Sequence, residues 1–186
     1  TCALVMFALV GVLILAGDVA LPVPNLLGGP HLALPLALLA PIAMSIALAF
    51  GFTTGDPLLE AVASRPLPMM NTLYALLVAA SATILCLLVG LLGASQYAFA
   101  AGRNTLGYVG MTLIGRRVVG SHNAALVPVV FIFVVSLFGS GPGHHAFWWA
   151  WPLARVDDGL AWLLVAALLA IGCGLTLRRP KASAAE

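Results

Sequence analysis

Residues 70–94 read MNTLYALLVAASATILCLLVGLLGA, an apolar run without a single charged side chain. A helix needs about 20 predominantly apolar residues to cross the hydrocarbon core of a membrane. This run is long enough to cross as one helix. It therefore predicts an integral membrane protein, and the rest of the chain can be sorted by the same criterion.

The composition of the whole chain agrees with this prediction. Of the 186 residues, 62% are hydrophobic and 8% are charged, whereas a soluble domain carries roughly a quarter charged residues. A soluble monomer is therefore excluded, and the net charge of +2 is too small to indicate a nucleic-acid partner. Six spans would use roughly 120 residues, which leaves no room for a separate catalytic domain. Work driven by ATP would need a second chain that holds the nucleotide.

The apolar runs predict an all-α integral membrane fold, a single polytopic transmembrane domain over 1–186 with about six transmembrane helices. The predicted spans are approximately 2–20, 31–52, 70–94, 102–119, 124–139 and 159–177. Basic residues favour the cytoplasmic side of a membrane. With six spans, both termini are cytoplasmic, and the basic residues divide six to two in favour of that side. The inner residues are Arg65, Arg116, Arg117, Arg178, Arg179 and Lys181, and the outer ones are Arg103 and Arg155.

A polar stretch, residues 53–69, separates the second and third predicted spans. Within it, Asp56 followed by Pro57 is a helix-start signal, because Asp caps a helix and Pro suits its first position. The apolar residues that follow fall on one face, and Glu60 and Arg65 are available to a partner. The pattern predicts a short cytoplasmic amphipathic helix. An interfacial helix that rests on lipid is the alternative.

A second short segment, residues 144–156, precedes the last span and reads HHAFWWAWPLARV. Its tryptophans, Trp148, Trp149 and Trp151, suit the membrane interface, where indole rings favour the headgroup level. The segment is too short to cross. We expect an outer re-entrant element, a short helix that enters the outer leaflet and turns back at Pro152.

Few residues in the chain are candidates for chemistry. Charged residues fall at predicted span ends and none lies mid-span, which argues against ion-coupled transport. His144 and His145 are adjacent, but no acid or cysteine stands at metal-ligand spacing from them, so we expect no metal and no cofactor. No nucleophile, zinc-protease or phosphate-loop motif occurs, so the chain is not expected to be an enzyme.

Small residues recur at helix-packing spacing in the last span, at Ala166, Ala170 and Gly174. Small side chains let membrane helices approach closely. The stripe favours packing within one chain. A seam between two copies of the chain is the alternative.

Three stretches and the layout of the spans carry a family resemblance: DPLLEAVASRPLP at 56–68, GRNTLG at 102–107 and WWAWP at 148–152. Together they resemble the membrane-spanning permease subunits of ATP-binding-cassette exporters of the type-2 permease class, in particular small permeases of actinobacterial type. The resemblance covers most of the chain. One departure is that the family usually has an amphipathic helix before span one, whereas this chain begins within that span.

The resemblance implies that Asp56, Leu59, Glu60 and Arg65 contact a separate ATPase subunit and couple its motion mechanically. It also implies a bacterial plasma-membrane protein surrounded by lipid. A hydrophobic or amphipathic cargo would pass between this chain and a second permease copy, in a homodimer or heterodimer. Two alternatives remain, which are a non-transporting anchor or assembly subunit and a histidine-based metal or haem protein. The histidines for the latter would be His31, His122, His144 and His145.

Overall fold

The computed structural model describes residues 2–27, 32–53, 67–141 and 145–177. Most of these residues are helical. The helices are α1 (Cys2–Ala16), α2 (Leu36–Leu39), α3 (Pro41–Thr53), α4 (Leu67–Leu91), α5 (Ala98–Val118), α6 (Leu126–Phe138) and α7 (Gly159–Leu177). Two short strands, β1 (Ala20–Val23) and β2 (Leu32–Pro35), and a 3-10 turn at Trp151–Leu153 complete the described elements.

Three of the described helical segments are long and apolar enough to cross a membrane: Leu36–Thr53, Met69–Leu91 and Gly159–Leu177. The helices Cys2–Ala16 and Leu126–Phe138 are apolar but shorter. A chain with three such helices and few polar residues has the character of a membrane-embedded protein.

A β-hairpin near the N-terminus modifies the all-helical expectation. The predicted first span, 2–20, ends as a helix at Ala16, and the predicted second span, 31–52, starts as a strand. The strands are antiparallel, with Ala20 opposite Pro35 and Val23 opposite Leu32. Proline explains the change, because it lacks an N–H donor and interrupts helices, and the segment between the two helices is rich in proline.

Side-chain contacts between helices show how the helix ends are arranged. A Cβ on Gly90, in the last turn of α4, would lie 2.6 Å from Cε2 of Phe99 in the first turn of α5, so the end of α4 meets the start of α5. The Ser95 hydroxyl donates to Asp18 at 3.2 Å, which brings the end of α1 to the same place. The loop of the hairpin joins the end of α6 there, because Asn25 Nδ2 donates to Ser140 Oγ at 2.8 Å. We call this end of the molecule the hairpin end.

Two other contacts mark the opposite end. The Thr72 hydroxyl, near the start of α4, donates to the Thr176 hydroxyl near the end of α7 at 2.9 Å. The Arg116 guanidinium of α5 lies 4.5 Å from the centre of the Phe52 ring of α3, within cation–π range. The connection between α3 and α4 therefore starts and finishes at this opposite end.

Helix α5 lies at the centre of the fold and packs against α3, α4, α6 and α7. Glycines let its backbone meet that of α7 directly. A Cβ on Gly110 would lie 2.8 Å from the backbone nitrogen of Leu169, and one on Gly172 would lie 2.7 Å from the Gly110 carbonyl oxygen. Close approach through small residues is a common way for membrane helices to associate.

This contact differs from the stripe that the sequence suggested. Ala166, Ala170 and Gly174 are all exposed on α7, and a Cβ on Gly174 would meet no heavy atom within 4 Å. The favoured interpretation, packing of this stripe within one chain, is therefore wrong for the described residues. The inward face of α7 instead carries Ala161, Val165 and Gly172.

Candidate functional site

The segment before α7 is not the short helix that was predicted. Residues 145–158, which we call the strap, run from an extended stretch through the 3-10 turn Trp151–Leu153 to the start of α7. The strap folds back on the chain that precedes it, with a bridge between Ser140 and Ala146 and a hydrogen bond from the Phe147 N–H to the Gly139 carbonyl at 2.9 Å. It is therefore a folded loop held by backbone pairing.

The tryptophans of the strap have different environments. Trp148 is 69% exposed, and Trp149 is half-buried and stacks on Phe147 with ring centres 6.4 Å apart. Trp151 is only 2% exposed, and its ring centre lies 5.2 Å from that of Tyr108. The prediction that Trp151 is an interfacial residue is therefore wrong, since it is a core residue that anchors the strap onto α5.

Arg103 is the second anchor of the strap. It lies in the first third of α5, and the residue is 0% exposed. Its Nη1 donates to the Arg155 carbonyl at 2.8 Å, and its Nη2 donates to the carbonyls of Trp151 at 2.8 Å and Ala154 at 2.9 Å. The sequence suggested an arginine at a span end, in an outer segment. The structure places it inside a helix, with its guanidinium under the strap.

Asn104 completes this arrangement. Its Nδ2 donates to the Pro152 carbonyl at 3.1 Å, and its Oδ1 accepts longer hydrogen bonds of 3.4 Å from Nε and Nη2 of Arg103. Two adjacent side chains thus satisfy the carbonyls of four strap residues. We call Arg103 and Asn104 the clamp.

The chemistry of the clamp is that of a structural tie. A guanidinium stays protonated in proteins and presents five N–H donors in a planar fork. Among the described residues, every hydrogen bond that Arg103 donates is accepted by a neutral oxygen atom. Buried carbonyls without partners are costly, so the clamp allows an irregular strap to lie against the helical core.

Gly107 is what allows Trp151 to reach α5. A Cβ placed on Gly107 would collide with the Trp151 ring, including contacts of 2.7 and 2.8 Å to Cζ3 and Cζ2. The ring cannot move easily, because Phe131 stacks on it with ring centres 5.7 Å apart and Tyr108 lies on another side. The glycine and the tryptophan are therefore a matched pair.

We expect Gly107→Ala to lower the free energy of unfolding by about 2 kcal/mol, the usual cost of an added methyl group in a packed core. The measurement is unfolding by sodium dodecyl sulfate in mixed micelles with a neutral maltoside, followed by circular dichroism. Gly11→Ala in α1 is the control, because a Cβ there meets nothing within 4 Å. Equal stability of the two variants would contradict the packing of Trp151 on Gly107.

A cavity of about 630 Å³ lies at the hairpin end, between β2, α2, the start of α5 and the strap. Leu34, Leu38 and Leu153 form an apolar part of its lining. The polar part includes side chains of both charges and aromatic groups. These residues are Tyr97, Ser140, His145, Arg155, Asp157 and Asp158.

The charged groups at this cavity are already engaged with the chain. Arg155 Nε donates to Asp157 Oδ1 at 3.2 Å, with side chains that are 88% and 73% exposed. Asp158 Oδ1 accepts from the backbone N–H groups of Leu160 at 3.0 Å and Ala161 at 3.4 Å, so it caps the start of α7. The exposed pair contributes little to stability.

Of the predicted histidines, the two that the structure describes, His122 and His145, line separate cavities. His145 is exposed at the cavity, and His122 lies in the turn between α5 and α6. Within the described ranges, no group of three or more His, Cys, Asp or Glu residues has an arrangement that could hold a metal ion. His31, His144 and the predicted coupling residues Asp56, Leu59, Glu60 and Arg65 lie outside the described residues.

The clamp is the feature that the sequence interpretation missed. Arg103 and Asn104 stand side by side in a stretch with glycine at 102, 107 and 110, a composition that a lipid-facing helix rarely shows. That combination is the sequence signal from which the clamp could have been predicted, since a polar pair in a glycine-rich helix needs protein partners rather than lipid.

Comparisons of the chain with protein-family models, curated proteins and solved structures give no match.

Proposed function

We propose that this chain is the membrane permease subunit of an ATP-binding-cassette exporter, with six spans and both termini on the cytoplasmic side of a bacterial plasma membrane. The permease assignment rests on the sequence resemblance, and the observation that supports its six-span topology is the arrangement of helix ends. α1, α4 and α6 end at the hairpin end, where α5 and α7 begin. Such alternation is what six crossings require, and it complements the three long apolar helices.

The orientation follows from the basic residues. Arg116 and Arg117 are in the last turn of α5, at the end opposite the hairpin, where basic residues mark the cytoplasmic side. The α3–α4 connection, which contains the predicted coupling helix, leaves Thr53 and enters Leu67 at that same end. In the proposed permease, an ATPase subunit binds this connection, and the strap lies on the outer side.

The energy in this proposal comes from the partner. The sequence has no phosphate-binding loop, so hydrolysis belongs to the ATPase subunit. Asp56, Leu59, Glu60 and Arg65 act mechanically, as the contact through which the ATPase moves α3 and α4. The cargo is hydrophobic or amphipathic, and it passes between this chain and a second permease copy.

We expect Leu59→Asp combined with Glu60→Arg to abolish association with the ATPase subunit, because it places a charge on the apolar face and reverses the charge beside it. The tagged chain is purified from source membranes in neutral detergent, and the ATPase activity that co-elutes with it is measured. For the wild-type chain we expect a stoichiometric ATPase subunit. Leu26→Asp is the matched control, since Leu26 is 67% exposed at the hairpin end.

One result would refute the permease proposal, and a second would refute its coupling assignment. One is a wild-type chain that elutes with stoichiometric partners, none of which hydrolyses ATP, which would instead support the anchor or assembly subunit. The other is unchanged ATPase association of the double variant, which would remove the coupling assignment.

A further inference from the structure

We infer that the β-hairpin is a lipid-contact surface, and that its outward face lies among the headgroups of the outer leaflet. The inference rests on the proposed function for its six-span topology, because the ends of α1 and α6 must lie at the membrane surface. It needs neither an ATPase nor a cargo, and its argument comes from the hairpin itself.

The first argument is the direction of the hairpin. At its base, the Leu36 N–H donates to the Val19 carbonyl at 2.9 Å, just beyond the end of α1. At its loop, the Leu26 N–H donates to the Leu137 carbonyl of α6 at 3.0 Å. Base and loop are thus tied to two helices that finish at the same end of the molecule. In the six-span topology that end is the outer surface, so the hairpin lies along the membrane and does not project from it.

The second argument is the lack of polar residues on either face of the hairpin. Side chains alternate between the two faces of a strand, so a hairpin with one face in water normally alternates apolar and polar residues. Here β1 reads ALPV and β2 reads LALP. Leu34 is buried against the core, whereas Ala20, Pro22 and Ala33 of the outward face are exposed. An exposed face that is apolar throughout is typical of contact with a membrane or a partner.

The segments around the strands are equally uncharged. Residues 19–55 contain no Asp, Glu, Lys or Arg, and Val19 and Leu27 are 54% and 51% exposed. The amide of Asn25 is used within the chain, since it donates to Ser140 Oγ at 2.8 Å and accepts from the Leu27 N–H at 3.0 Å. The exposed surface is left to apolar groups, which is the character of elements that lie in the membrane interface.

The third argument is that proline excludes a protein strand as the occupant. The hydrogen bond at the hairpin base shows that the neighbouring pair, Ala20 and Pro35, is of the non-hydrogen-bonded kind, whose backbone groups point to the free edges. Alternation gives the same orientation to Pro22. Each free edge therefore carries a proline, which has no N–H to donate and blocks pairing with another chain. Water and headgroups at the interface can bind the remaining edge groups, whereas hydrocarbon could not.

The test is depth-dependent quenching of a fluorescent label. In a chain with Cys2, Cys86 and Cys173 replaced by Ala, a nitrobenzoxadiazole label is attached at Ala20→Cys on the outward face. The full chain is reconstituted without an ATPase in phosphatidylcholine nanodiscs, which carry a nitroxide either on the headgroup or deep in the acyl chain. Iodide in solution reports access from water.

Two reference labels define the scale. Leu77→Cys, 61% exposed near the middle of α4, is the deep reference. A cysteine in the purification tag is the water reference. The deep label should be quenched more by the acyl nitroxide than by the headgroup nitroxide.

We expect the headgroup nitroxide to quench the Ala20→Cys label about twofold more strongly than the tag label, because an interfacial element lies at the level of the headgroups. It should also quench that label more strongly than the acyl nitroxide does. Quenching by lipid no greater than that of the tag label would place the face in water and overturn the inference. Shielding from both lipid nitroxides and iodide would show that a protein covers the face, and it would overturn the inference as well.

A second position makes the result independent of any disturbance of the strand pairing. Leu27→Cys carries the same label on the exposed hairpin loop, outside the paired residues. It should show the same order of quenching as Ala20→Cys. A Leu27→Cys label that behaves like the tag label would refute the lipid-contact surface, since loop and strands lie along one surface.

The two proposals fail independently. Loss of ATPase association with retained headgroup quenching of the hairpin would remove the permease assignment alone. Retained ATPase association with a hairpin in water would remove the lipid contact alone.

Discussion

Replacing Arg103 with Met is expected to lower the free energy of unfolding by about 3 kcal/mol. Methionine fills much of the space but donates no hydrogen bond, so the carbonyls of Trp151, Ala154 and Arg155 lose their partner. A buried acceptor left alone, such as the Trp151 carbonyl, costs about 1–3 kcal/mol, and the partly buried carbonyls of Ala154 and Arg155 cost less. The relief of no longer burying a guanidinium offsets part of that sum.

The measurement is again unfolding by sodium dodecyl sulfate in mixed micelles, with the summed fluorescence of the four tryptophans as a second signal. Arg103→Lys should fall between wild type and Arg103→Met, because an ammonium keeps the charge but cannot reproduce the planar fork. Arg117→Met is the matched control on the same helix. Arg117 is exposed, so its replacement should change stability by less than about 0.5 kcal/mol. Equal effects at positions 103 and 117 would mean that the clamp does not hold the strap.

Two glycines on one helix are expected to respond in opposite directions to the same substitution. Gly172→Ala should lower the free energy of unfolding by about 2 kcal/mol or more, because its Cβ would lie 2.7 Å from the Gly110 carbonyl oxygen. A backbone atom cannot move aside as a flexible side chain can, so α5 and α7 must separate. Gly174→Ala should raise stability by up to about 1 kcal/mol, since nothing lies within 4 Å of the added Cβ.

This comparison has its control built in, because the two positions share the helix, the substitution and the micelle. The unfolding midpoint of each variant, compared with that of the wild type, shows whether the substitution raises or lowers stability. A Gly174→Ala variant that is destabilised as much as Gly172→Ala would show that the outer stripe of α7 is also packed. That result would favour the alternative of a seam between two copies of the chain.

Apolar run length predicted the helices well where nothing interrupts them. The last span, predicted at 159–177, is the helix Gly159–Leu177, and the run 70–94 corresponds to the helix Leu67–Leu91. The hairpin was not predicted, because its strands are as apolar as the helices beside them. Hydropathy alone cannot separate a buried strand from part of a helix.

The site was harder to predict because it depends on contacts distant in sequence. Trp148 and Trp151 are the same residue type and lie only three positions apart, yet one is exposed and the other is buried. The difference arises from Gly107 of α5, which makes room for the Trp151 ring. Likewise, a hydrogen bond between Arg103 and residues 48–52 positions later leaves no local pattern that a sequence can reveal.

The clamp also has a consequence for the order in which this protein is made. The guanidinium of Arg103 is synthesised before its acceptors, since Trp151 and Arg155 emerge from the ribosome 48 and 52 residues later. In the proposed six-span topology, α5 must enter the membrane with a positive charge that costs about 2.5–3.5 kcal/mol at the bilayer centre and less near its surface. Early insertion of α5 therefore depends on the helices already present, such as α4, whose Thr83 contacts the neighbouring Gly102. The hydrogen bonds of the clamp form only after the strap has been synthesised.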